Sequence, residues 1–135
     1  MKIKYDINLM KFISLFEQIT RAKVKDCIDS LPLTFIVYPG EIAKAIGKKA
    51  VNIHKMENLL HKKIKVVEFN DDVLKFVENV IAPIKVEEVV KEGDVVIIRD
   101  HDTKKKGMII GRDASNLNKY KDIVKRYFDV DIVVK

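Results

Sequence analysis

Two stretches decide the reading of this chain: Ile46-Gly47-Lys48-Lys49-Ala50-Val51-Asn52-Ile53 and Ile110-Gly111-Arg112-Asp113-Ala114-Ser115-Asn116-Leu117. They share the pattern I-G-[KR]-x-A-x-N-[IL] and lie 64 residues apart, so the sequence contains an internal repeat and the domain count changes with it. Each copy is followed by apolar residues at helical spacing and then by a strand pattern. After the first come Ile53, Met56 and Leu60, then Ile64, Val66 and Phe69. After the second come Leu117, Tyr120, Val124 and Tyr127, then Val130, Ile132 and Val134.

Upstream of each glycine the order also repeats. Leu33 to Tyr38 and Val95 to Arg99 are extended runs rich in β-branched residues. Pro39-Gly40 breaks the first, and Glu41 to Ile46 reads as a short helix with Ile42, Ala45 and Ile46 on one face. Its counterpart is Lys104 to Ile110, capped by Asp102 or Thr103. Earlier still, Leu9, Phe12, Ile13, Phe16 and Ile19 mark a helix from Leu9 to Thr20 with Asn8 as its cap. Val73, Phe76, Val77 and Val80 mark another from Asp72 to Ile81, which Pro83 ends. Between helix and unit lie the extended runs Val24 to Leu31 and Ile84 to Val90, with Glu92-Gly93-Asp94 as the second hairpin turn. Both halves therefore read α-β-β-α-α-β, giving an α+β protein of two domains, residues 1–70 and 71–135.

The bulk numbers fit two small folded domains. The chain has 135 residues, 47% hydrophobic and 34% charged, enough apolar material for cores and far from a disordered composition. No apolar run approaches the roughly 20 residues needed to cross a bilayer. Met1 to Tyr5 alternates Lys with Ile and Tyr, which argues against a secretory leader and for the cytosol. The lone Cys27 excludes an internal disulfide and reads as a small buried hydrophobe.

The net charge of +6 is unevenly placed. Residues 44–65 hold seven lysines against Glu57, residues 66–102 hold four basic groups against ten acidic, and residues 103–135 hold nine against four. Two basic blocks separated by an acidic one suit surfaces that face a polyanion.

Other chemistry finds little support. A phosphate-binding loop of the G-x-x-x-x-G-K-[ST] kind needs glycine where Ala45 stands. Asp100-His101-Asp102 reads as a solvated turn, since adjacent turn residues rarely converge on one metal ion. His54 and His61 are not at zinc-pair spacing. No nucleophile elbow or metalloprotease pair occurs, so neither an enzyme nor a cofactor is expected.

A helix, a glycine turn flanked by lysines and a second helix suit the gripping of a phosphodiester backbone. Glycine lets a phosphate approach the main chain, and the following helix offers free N–H groups at its positive end. That is the logic of the KH domain, whose G-x-x-G loop clamps about four nucleotides of a single strand. The α-β-β-α-α-β order resembles the type II KH fold, with helices on one face of a three-stranded sheet. Its duplication, with Lys25-Asp26-Cys27-Ile28 after the first helix and Val66-Val67-Glu68-Phe69 closing the first unit, resembles the archaeal NusA family over nearly the whole chain. The resemblance implies two tandem KH domains that bind single-stranded RNA in transcription termination or antitermination.

Carried onto this chain, the site is Ile46, Gly47, Lys48, Lys49, Ala50, Val51, Asn52, Ile53 and Lys55 in the first unit. In the second it is Ile110, Gly111, Arg112, Asp113, Ala114 and Asn116. Lys48 and Lys49 fall on phosphates with Asn52 and Lys55 nearby, while Ile46, Val51 and Ile53 border the base groove. Both loops depart from the motif by ending in alanine. Because alanine disfavours positive φ, a helical start at Ala50 and Ala114 is expected in place of a strained turn. Asp113 puts a negative charge where a phosphate sits, which makes the first loop the favoured grip. The chain is expected to be a monomer with single-stranded RNA, and RNA polymerase or ribosomal components, as partners; the alternative is a protein-interaction module of the transcription or translation machinery with degenerate loops, docking through its acidic middle.

Overall fold

The computed structural model describes residues 7–135, so the stretch Met1 to Tyr5 that argued against a leader lies outside the described residues. The chain divides into two compact units, the first ending at Phe69 and the second running Asn70–Lys135. Each is an α+β unit with one three-stranded sheet.

The first unit runs α1 (Ile7–Thr20), β1 (Val24–Ile28), β2 (Leu33–Val37), α2 (Ile42–Ile46), α3 (Val51–Leu60) and β3 (Ile64–Glu68), with a single 3-10 turn, Lys48–Ala50, between α2 and α3. Strand β2 is central, antiparallel to β1 and parallel to β3, with Leu33 opposite Ile64 and Val37 opposite Glu68. Leu33, Phe35 and Val37 alternate onto the face that the helices cover. There they meet Leu9 and Phe16 of α1, Ala45 of α2 and Met56 of α3 in one buried cluster that also holds Cys27. Phe16 stacks on Phe35 with ring centroids 4.2 Å apart, and both are fully buried. Burying each such ring stabilises the unit by about 1.5–3 kcal/mol. Thr20 is buried at the end of α1 and is satisfied there: its hydroxyl donates to Phe16 O at 2.8 Å and accepts from Ala22 N at 3.0 Å.

Two boundaries differ from the sequence expectation. Helix α1 begins at Ile7, so Asn8 lies inside it and is not its cap. Strand β1 stops at Ile28 and does not continue to Leu31. The reason is local: the Ser30 hydroxyl donates to Pro32 O at 2.6 Å, and Thr34 Oγ1 donates to the same carbonyl at 3.1 Å, which folds 29–32 into a turn.

The second unit repeats the order as α4 (Val73–Ile81), β4 (Glu88–Glu92), β5 (Val95–Arg99), α5 (Thr103–Ile110), a 3-10 turn at Arg112–Ala114, α6 (Ser115–Lys125) and β6 (Asp131–Val134). Strand β5 is central, antiparallel to β4 and parallel to β6. Asp72 caps α4 by accepting from Leu74 N at 3.0 Å. Asp102 caps α5 by accepting from Lys104 N at 2.9 Å and Lys105 N at 3.4 Å. Phe76 of α4 is fully buried, edge-on to Tyr127 and tilted against Phe128 just past α6.

Strand β4 starts later than expected, at Glu88, and Glu92 belongs to it, leaving Gly93-Asp94 as the turn. Residues 84–87 are not strand because a side chain takes over the ladder: Glu87 N donates to Asp100 Oδ2 at 3.1 Å where a carbonyl acceptor would stand. Asp100 also accepts from Asp102 N at 2.7 Å and lies 3.8 Å from Lys105 Nζ. The Asp102 N–H bond is the main reason its carboxyl sits below the usual aspartate range, with the Glu87 bond and Lys105 adding to it. Among the described residues no helix is long and apolar enough to cross a membrane, and no group of His, Cys, Asp and Glu has the arrangement of a metal site.

Candidate nucleic-acid interface

Helix α2 ends where Gly47 N donates to Ala43 O at 2.9 Å, and the chain then turns sharply. Gly47 has φ 77° and ψ 169°, a region that only glycine occupies at low cost. Lys49 follows at φ 55° and Ala50 at φ 60°, and α3 starts with Val51 at φ −60°. The second turn copies the first: Gly111 at φ 74° and ψ 175°, Asp113 at φ 54°, Ala114 at φ 60° and Ser115 at φ −60°. The expected helical start at Ala50 and Ala114 is therefore wrong. Both alanines are left-handed, each at a cost of about 1–2 kcal/mol that the surrounding structure must offset.

What holds the strained turn is the asparagine of the repeat. Asn52 Nδ2 donates to Lys44 O at 2.8 Å, and Asn116 Nδ2 donates to Met108 O at 3.0 Å. Each bond spans the glycine and ties the first turn of the second helix to the last turn of the first. The fit is tight: a Cβ at Gly47 would lie 2.9 Å from Asn52 Nδ2, and one at Gly111 would lie 2.8 Å from Asn116 Cγ and 3.0 Å from its main-chain nitrogen. Glycine is needed here for space as well as for φ.

Residues expected at the first site are gathered on this turn. Lys48, Lys49 and Lys55 are exposed, and among the described residues none of the three forms an ion pair. Val51 is half exposed at the start of α3. Ile46 is partly buried at the end of α2, and Ile53 packs against the core, so its side chain is largely committed to the fold. Asn52 uses one of its two amide N–H groups within the loop. In the second unit Arg112 and Asp113 are exposed, Ile110, Gly111, Ala114 and Asn116 partly buried. Two residues that sequence reasoning missed, Lys44 and Met108, matter through main-chain carbonyls, which leave no side-chain signature.

Neighbouring contacts fix α2. The Glu41 carboxylate accepts from Lys23 N at 2.9 Å and lies 3.4 Å from Lys44 Nζ. The Lys23 N–H bond, then the Lys44 charge, hold its pKa below the usual glutamate range. Glu68 accepts from Gly40 N at 2.9 Å, joining the end of β3 to the turn before α2. His54 Nδ1 lies 3.8 Å from Glu57 Oε1 on the exposed side of α3. Chemically, the site offers a helix N-terminus with two exposed lysines just ahead of it, an arrangement that attracts anions.

Folded twice in α-β-β-α-α-β order with a glycine turn before the fifth element, the molecule is an α+β protein consistent with KH-like units. No protein-family model matches the chain. Among curated proteins it is similar to the "Probable transcription termination protein NusA" of Halococcus morrhuae, 31% identical over 134 residues, with 97% of this chain and 96% of that protein covered. The protein of the same name from Methanococcus vannielii is 36% identical over 131 residues, covering 93% and 75%. That from Methanocaldococcus jannaschii is 32% identical over 130 residues, covering 93% and 71%. Among solved structures, the crystal structure of APE1850 matches with a TM-score of 0.76 at 27% identity, over 97% of this chain and 100% of that one. The chain belongs to the archaeal NusA-like transcription termination protein family.

Proposed function

We propose that the chain is a cytosolic, non-enzymatic RNA-binding protein made of two tandem type II KH domains, and that it grips single-stranded RNA in transcription termination or antitermination. The observation that carries this reading is the Gly47 turn: two exposed lysines, without ion-pair partners among the described residues, stand immediately before the N-terminus of α3, on a sharp bend that the positive φ of Gly47 makes possible. The parallel pairing of β2 with β3, and of β5 with β6, supports the type II assignment, because the closing strand returns beside the central one after two helices. Lys48 and Lys49 contact phosphates, Lys55 extends the basic track along α3, and Val51 and Ile46 border the bases. Asn52 shapes the loop from within.

The test replaces Lys48 and Lys49 together by Asp. Affinity for an unstructured RNA falls, and the slope of log K against log salt flattens by about 0.7 for each phosphate that the variant no longer neutralises. Equal affinity and slope in parent and variant would remove the first turn from the mechanism.

A further inference from the structure

The two glycine turns are built alike and charged differently. Gly47 and Gly111 agree within 6° in ψ and 3° in φ, Lys49 and Asp113 within 1° in both angles, Ala50 and Ala114 within 5°. The asparagine bond recurs at 2.8 and 3.0 Å, and the same close approach surrounds both glycines. A turn that had lost its role would have no need to keep two left-handed residues in succession, each of which costs free energy. The second turn has kept that conformation whole. What has changed is the side chain at its tip, Asp113 for Lys49. Asp113 is exposed, and among the described residues it has no ion-pair partner, not even the adjacent Arg112. Its charge therefore faces whatever approaches the turn.

Resting on the RNA-binding reading above, we propose that the second turn is an intact RNA grip held weak by Asp113, so that this one side chain, and not any loss of loop geometry, makes the two units unequal. The backbone is able to accept the reversal: Lys49 occupies the same left-handed conformation in the first unit, so Asp113→Lys introduces a residue already accommodated there.

The experiment measures binding of a fluorescein-labelled oligouridylate of about 12 nucleotides, long enough for more than one loop of about four nucleotides each, at two salt concentrations. The parent chain is compared with D113N, D113K, the K48D/K49D pair, and K48D/K49D carrying D113K. Reversing a unit charge at about 6 Å from a phosphate in water tightens binding on the order of tenfold, and D113N gives about threefold. D113K also steepens the salt slope by about 0.7, the signature of one added phosphate contact. D122K, with the same change of charge on α6 about two turns past its start, is the control. The proposal is overturned if D113K binds no more tightly than its parent in either background, or if D122K gains as much as D113K. The K48D/K49D pair by itself reports on the first turn. A failure of that reading shows as undiminished binding by the pair, and a failure of this one as an absent gain from D113K. D113N keeps the test valid should D113K fold poorly, because asparagine tolerates the left-handed region well.

Discussion

Asn52 donates its side-chain amide to the main-chain carbonyl of Lys44 at 2.8 Å, and this one bond closes the glycine turn from within. It explains why glycine and asparagine travel together in the repeat: the amide occupies the space that a Cβ at Gly47 would need. The residue that sequence reasoning placed beside the phosphates thus also ties α2 to α3 across the turn.

Asn52→Ala is expected to cost about 0.5–1.5 kcal/mol of stability, the usual net worth of one hydrogen bond, read as a shift of the urea midpoint. On the proposed RNA-binding reading, affinity drops because the turn loosens, yet its salt slope stays that of the parent, since the same lysines would still neutralise the phosphates. A slope flattened by the equivalent of one phosphate would instead put the Asn52 amide on the RNA.

Ala50 and Ala114 lead to an expectation of opposite sign. Replacing either by Gly relieves a left-handed penalty of about 1–2 kcal/mol and gives back about 0.4–1 kcal/mol in unfolded-chain entropy. A net gain of up to about 1.6 kcal/mol follows, with RNA affinity on the proposed reading unchanged because the backbone already has the glycine-like shape. Thermal melts of Ala50→Gly, Ala114→Gly and the double variant decide it. A lower melting temperature would mean that the alanine methyl packs in a way that outweighs the strain.

Much of this was legible beforehand, and the gaps have physical causes. The repeat, the strand–helix order and the turn at Gly47 and Gly111 could be read because glycine, β-branched runs and helical apolar spacing each carry a strong local preference. The left-handed alanines could not, because every local preference argues against them, and what favours them is the closed turn: main-chain bonds from Ala50 N to Gly47 O at 3.1 Å and from Ala114 N to Gly111 O at 3.3 Å and, across the turn, the Asn52 and Asn116 side-chain bonds. Those bonds end on carbonyls of Lys44 and Met108, which any residue could supply. The start of β4 was missed for a similar reason: Ile84 and Val86 alternate as a strand would, and only a tertiary contact, Asp100 taking the Glu87 N–H, reveals that the ladder has already ended.

Asp100 also sets an acid limit. Its folded-state pKa lies below the ordinary value of 3.8, chiefly through the Asp102 N–H bond. The stability it contributes is complete above the unfolded value and is lost as pH falls through the folded one. In urea titrations, Asp100→Asn is expected to be less stable than the parent at pH 7, with the difference narrowing below about pH 4 as the parent carboxyl protonates. A difference that stayed constant from pH 7 to pH 3 would show that the carboxylate charge is not what these amides require.

Lys65 acts at the other end of the scale. It lies on β3 opposite Thr34, and burial pushes its pKa down from 10.5 to about 8. The folded state therefore releases this proton before the unfolded state does, so between about pH 8 and 10.5 the unfolded chain holds more protons and stability rises with pH. Below pH 8 the charge is carried in both states and its desolvation weighs against folding throughout. Lys65→Met keeps the length of the side chain and removes the charge. It is expected to be more stable than the parent at pH 7, and the advantage shrinks as the pH approaches 10, where the parent lysine is neutral in the folded state. Chemical denaturation of both proteins at pH 7, 9 and 10 measures this difference directly. A variant less stable than the parent at pH 7 would mean that the ammonium group is held by interactions stronger than the burial it suffers.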